Sequence, residues 1–106
     1  MAASPAPLMS SYAVTPEANA DLLNIWLYIA RDSEEIADRV QAEFYSKFDS
    51  LARHPGQGHR RTDYTKANVL FFPVYSYLIA YRPGTDPLEI LAVVHGAREV
   101  EKVLGR

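Results

Sequence analysis

Apolar residues along this chain change their period twice, which splits it into a helical half and a stranded half. Ser11 to Thr15 alternates and is short enough for a strand. Thr15-Pro16-Glu17 then sets a capping hydroxyl before a proline and an acid, the chemistry of a helix start. Leu22, Ile25, Trp26 and Ile29 recur at helical spacing and form one apolar face. Leu23, Leu27 and Ala30 widen the stripe, so this helix is either largely buried or has two partners. Arg31 and Asp32 interrupt the pattern. Asp32 with Glu35 reads as an N-terminal cap for a second helix, with Ser33 as the rival cap. Ile36, Val40, Phe44, Phe48 and Leu51 carry that helix to about Arg53, where His54-Pro55-Gly56 stops it. So tight a connection makes an antiparallel helical hairpin.

Gln57 to Asn68 is a polar, basic loop, and from Val69 the period becomes two. Val74 to Arg82 alternates, with Tyr75, Tyr77, Ile79 and Tyr81 on one side. Pro83 to Pro87 is dense in turn residues, and Leu88 to Val94 is the next strand. Val69 to Phe72 forms a further strand, pushed towards an edge or a bend by Pro73. Ala97 to Leu104 adds a short terminal helix. The fold class is therefore α+β: an N-terminal strand, then an antiparallel helical hairpin packed on a small antiparallel β-sheet, with a short C-terminal helix.

Length and composition refine this picture. The chain's 106 residues suit one domain, residues 11–106, behind a disordered lead of residues 1–10 in which Met9 is a second candidate start. It holds no cysteine, which rules out disulfides and thiolate zinc sites and fits a reducing compartment such as the cytoplasm. No apolar stretch approaches the roughly 20 residues needed to cross a bilayer, so no membrane role is expected. A net charge of −2 conceals an asymmetry. Residues 1–52 carry eight acids and three bases, whereas residues 53–106 carry five acids and eight bases. Such asymmetry suggests one face that meets an anion, or a basic loop that only aids solubility.

Candidate chemistry concentrates in the second half. None of His54, His59 and His95 stands at a metal-ligand spacing, and no phosphate-cradling or nucleophile-elbow motif is present, so no cofactor or metal is expected. Arg60 and Arg61 are suited to phosphate through paired, charge-assisted hydrogen bonds, unless Arg60 merely pairs with Asp63. The strand tyrosines are a stacking platform or, more ordinarily, core. His95, at a strand end in VVHGAREV, offers a neutral imidazole near pH 7. Together with Arg82, Arg98 and the Arg60-Arg61 pair it could form an RNA-cleaving centre, or it could simply bond a backbone carbonyl where the strand ends.

In order, TPEANADLLNIWLYIA, LARHPGQGHRR, YSYLIAYR and VVHGAREVEKVL resemble the RelE/ParE superfamily of bacterial toxins, closest to its ParE, or plasmid-stabilisation, branch. The resemblance covers nearly all of the chain after Ser10. It rests on Ala18 and Asp21, on the Pro-Gly exit of the second helix, on the Tyr-Arg strand end and on the His-Gly-Ala-Arg segment. It implies a cytoplasmic toxin of a type II toxin–antitoxin module, neutralised by a cognate antitoxin in a hetero-oligomeric complex. ParE-like members inhibit DNA gyrase, a DNA topoisomerase, and catalyse nothing alone. RelE-like members are ribosome-dependent mRNA endoribonucleases. Carried over by position, the target-binding basic face would be Arg60, Arg61, Arg82, His95 and Arg98. The antitoxin would bind through Trp26, Tyr45, Arg60 and Arg61. Were the chain RelE-like, His95, Arg82 and Arg98 would be catalytic. The chain departs from that branch in having no tyrosine after Tyr81 and only Lys66 in the loop, which weighs towards gyrase.

Overall fold

The computed structural model describes residues 11–96, and the expected disordered lead, terminal helix and Arg98 lie outside them. Strand β1 (Tyr12–Val14) leads through Thr15 into helix α1 (Pro16–Ala30). Helix α2 (Glu34–Arg53) follows, and a short 3₁₀ turn (Pro55–Gln57) closes the helical half. Strands β2 (His59–Arg60), β3 (Leu70–Val74), β4 (Tyr77–Arg82) and β5 (Leu88–His95) complete the domain. All five strands form one sheet in the order β1-β5-β4-β3-β2. The α+β class and the helical hairpin on a sheet are thus as expected. The sheet, however, is mixed: β1 pairs in parallel with β5, Tyr12 opposite Leu88 and Val14 opposite Ile90. A first strand that returns beside the last one is set by long-range docking, which short-range period does not report.

Thr15 joins the two layers. Its side chain accepts from the Ala18 amide at 3.1 Å, capping α1, and its hydroxyl donates to the Leu91 carbonyl at 3.2 Å. Leu91 is the extra residue of a β-bulge, because Ala80 pairs with Ala92 but Tyr81 with Ile90. Beyond Val14, α1 takes over the free edge of β5, and the Asp21 carboxylate accepts from the Val93 amide at 3.0 Å. Fully buried Ala18 lets the helix approach that edge closely. At the second helix, Ser33 wins over Asp32 as the cap, accepting from the Ile36 amide at 3.1 Å. Gln57 serves the other end, donating to the Ser50 and His54 carbonyls at 3.0 and 3.1 Å.

The main core lies between hairpin and sheet. Leu22, Phe44, Phe48 and Leu51 pack there against Tyr81, Ile79, Ile90 and Val93. A second, smaller cluster of Val69, Phe71, Ala80, Ala92 and Val94 is buried on the opposite face, with Tyr64 from the basic loop edge-on to Phe71 at 5.6 Å. The alternation expected from Val74 through Arg82 is broken after one residue. Tyr75 and Ser76 are a two-residue turn between paired Val74 and Tyr77, and Tyr75 has φ of 56°. Tyr75 is therefore exposed, whereas Tyr77, Ile79 and Tyr81 face the helices as expected. Pro73 lies inside β3 opposite Leu78. That is a non-hydrogen-bonded site of this hairpin, so its missing amide faces away from β4.

Candidate functional site

Two regions hold the residues singled out in the sequence. The first is the basic loop after α2. Its entry is fixed by Tyr81, whose hydroxyl donates to the Pro55 carbonyl at 2.6 Å and accepts from the Gly58 amide at 2.8 Å. A β-carbon on Gly58 would collide with that hydroxyl and with Leu70, so glycine is required by space. Burial raises the Tyr81 phenol above its ordinary pKa, although the hydrogen bond from Gly58 opposes the shift.

Beyond this lock the loop satisfies itself. Arg60 donates to Asn68 Oδ1 at 2.9 Å, bracing the loop across its base. Arg61, not Arg60, takes Asp63, in a bidentate pair at 3.0 and 2.8 Å, and its guanidinium lies 3.9 Å from the Tyr64 ring centroid. The Arg61 hydrogen bonds hold the Asp63 carboxyl below the ordinary carboxylate value. Arg82 is paired across the sheet with Glu89 at 2.9 Å.

Of the two readings of His95, its convergence with Arg60, Arg61 and Arg82 is not formed. Arg82 pairs with Glu89 at one end of β4, and Tyr77 with His95 at the other. Five residues of extended strand separate the two ends by about 17 Å. Arg60 lies in a row with Leu70 and Tyr81, which face the helices, and Arg82 alternates to the opposite side. His95 is anchored locally: its Nε2 is 3.1 Å from Ser76 Oγ and its ring 5.0 Å from that of Tyr77. The turn at Pro83 to Pro87 joins β4 to β5, so Arg82 stands beside that turn and His95 at the far end of the hairpin, a separation the turn residues of the sequence already signal.

The second region is an open groove of about 700 Å³ on the outer side of the hairpin. Leu23 and Trp26 of α1 and Gln41 and Tyr45 of α2 line it, so Trp26 and Tyr45 share one surface. Arg60 and Arg61 are absent from its lining. The Trp26 indole is held by a 2.8 Å hydrogen bond from Nε1 to Asp38 Oδ1. Leu23 and Leu27, which widen the apolar stripe of α1, remain 57% and 50% exposed. Of the two readings of that stripe, the described residues supply one partner face and leave the second open.

Two helices packed on a mixed sheet, with an open groove of mixed polarity between them, define a small α+β module. A family model described as "ParE toxin of type II toxin-antitoxin system, parDE" matches residues 12–100, and the chain belongs to that family. It is 34% identical over 80 residues to "Putative toxin Y4kP" of Sinorhizobium fredii, covering 76% of this chain and 81% of that one. It is 25% identical over 87 residues to "Toxin RelE3" of Caulobacter vibrioides, covering 82% and 95%. Its fold matches a solved structure titled "Chromosomal ParDE TA system from P. aeruginosa" with a TM-score of 0.67 at 21% identity, over 83% of this chain and 97% of the other. The protein is thus a type II toxin of the ParE/RelE superfamily, and membership implies an antitoxin partner. Among the described residues no helix is long and apolar enough to cross a membrane.

Proposed function

We propose that this toxin acts as a binder that inhibits DNA gyrase and catalyses no reaction by itself. The observation that carries the reading is the distance between His95 and Arg82 at opposite ends of β4. RNA cleavage by these residues requires a proton acceptor beside a phosphate-binding cation, within hydrogen-bond reach of one substrate. His95 is instead engaged with Ser76 and Tyr77, and Arg82 with Glu89. The match to the ParE family across residues 12–100 supports the same choice.

Target contact falls to the basic loop in this reading. Arg60 is bonded to the neutral Asn68, so its charge is available to an anionic surface. Arg61 and Arg82 are in solvent-exposed pairs that can be exchanged for a stronger acidic or phosphate partner. The antitoxin takes a different surface, laying a segment into the groove at Trp26 and Tyr45, whose lining does not include Arg60 or Arg61.

The similarity to a relative named "Toxin RelE3" favours a second reading, ribosome-dependent mRNA cleavage. Purified toxin is tested in a gyrase supercoiling assay beside a ribosomal translation assay. Lost supercoiling with intact message supports the binder. Message cut on the ribosome with supercoiling unaffected overturns it.

A further inference from the structure

We infer that the partner segment filling the α1–α2 groove is an amphipathic helix with a basic flank, oriented so that its cations lie at the Trp26 end. This rests on the groove being the antitoxin's seat, and it specifies the chemistry of what sits there. Along its α1 wall the groove is mainly apolar, with Pro16, Ala20, Leu23 and Trp26 beside one polar residue, Asn19. Its α2 wall changes character along its length. Tyr45, Gln41 and Asp38 line it in that order, and Glu34 continues the same stripe one turn further. The stripe thus runs from an aromatic ring to two exposed carboxylates.

The charge of the surrounding hairpin reinforces this direction. Residues 16–53 hold eight carboxylates and four cations. Three of those cations are already paired one turn away: Arg39 with Glu35, Lys47 with Glu43 and Arg53 with Asp49. The fourth, Arg31, stands 5.9 Å from the Tyr28 ring centroid. The groove lining contains no cation. Asp38 accepts from the Trp26 indole, a neutral donor.

Other occupants fit less well. A second copy of this chain would bring two acidic hairpins together, and nucleic acid would meet carboxylates where it needs cations. From Pro16 to Trp26 the groove runs about 15 Å at 1.5 Å per residue, enough for roughly three turns of a partner helix. Apolar anchors on that helix reach Leu23 and Tyr45, and a lysine or arginine on its flank reaches Asp38 and Glu34.

The test uses the full chain with two synthetic amphipathic peptides of identical apolar face, one flanked by lysine and one by glutamate. Binding is followed by fluorescence anisotropy at low and high ionic strength. Asp38→Asn keeps the acceptor for the Trp26 indole, and with Glu34→Gln it removes both charges. Leu23→Ser removes an exposed apolar anchor, and circular dichroism checks that each variant is folded. The lysine peptide should bind about tenfold more tightly than the glutamate one at low salt, and the double variant should abolish that preference. Leu23→Ser should weaken both peptides. Equal affinity for the two peptides, with Leu23→Ser still harmful, overturns the basic-flank inference and leaves the groove as the seat. Binding indifferent to Leu23→Ser, or no binding by either peptide, overturns the seat itself. Self-association of the toxin abolished by Leu23→Ser assigns the groove to a second copy and overturns both.

Discussion

Tyr81 ties three separate parts of the chain together through one hydroxyl. It stands in the core beneath the helices, yet its oxygen reaches the Pro55 carbonyl and the Gly58 amide at the entrance to the basic loop. Tyr81→Phe keeps the ring and strands both partners, so it should destabilise the fold by about 1–3 kcal/mol in a urea or thermal titration. The same residue gives the domain an alkaline limit. Burial raises its pKa in the folded state, so its contribution is whole below the ordinary tyrosine value of about 10 and is lost as pH rises through the folded value. Thermal unfolding followed from neutral pH to above that value should show a steeper decline in the native protein than in Tyr81→Phe. Tyr75 is the opposite case. The residue is 65% exposed, and its positive φ lies in the left-handed region that favours glycine. Tyr75→Gly should raise stability by about 1 kcal/mol, read as a higher melting temperature.

Among the elements, β5 has the most demanding position, since β1 covers its outer edge only as far as Ile90. Past that point α1 supplies the missing partners, through the Thr15 hydroxyl to Leu91 and the Asp21 carboxylate to the Val93 amide. Asp21→Ala should therefore loosen the contact between helix and strand and cost about 1–3 kcal/mol. Hydrogen exchange should localise the effect: the Val93 amide should exchange faster, while the Ile79 amide on β4 changes little. Equal acceleration along both strands would show that Asp21 supports the whole sheet and not this edge. Ser33 caps α2 in the simpler manner, and Ser33→Ala should lower stability by about 1 kcal/mol.

At the scale of the whole molecule, the hairpin groove and the basic loop are separate surfaces, one formed by the outer sides of α1 and α2 and the other by the chain beyond α2. A toxin arranged in this way can be bound by an antitoxin in the groove while its loop remains distinct in charge and composition. If the proposed gyrase inhibition runs through the basic loop, Arg60→Glu should reduce it while leaving antitoxin affinity nearly unchanged, with a supercoiling assay and a binding titration as the two readouts. Equal loss in both would merge the surfaces into one. Because an antitoxin binds only the folded toxin, a saturating amount should also raise the toxin's melting temperature in proportion to the logarithm of its concentration.

Much of this protein was decided within short windows of sequence. The Thr15-Pro16-Glu17 start, the 3.6-residue stripe of α2, the stop at His54-Pro55-Gly56 and the aromatic alternation of β4 all act over a few residues, so period and capping chemistry expose them. Trp26 and Tyr45 are singled out by the family resemblance and not by these windows, and they line one groove. Tertiary structure alone decided the rest. The parallel return of β1, the hold of Asp21 on the Val93 amide and the reach of Tyr81 to Pro55 and Gly58 all depend on how segments far apart in the chain come together. A one-residue shift of register turns a side chain to the other face of a sheet, and no local pattern records which register is taken. Elements can therefore be read from their own residues, but which residues meet is known only once the segments have packed.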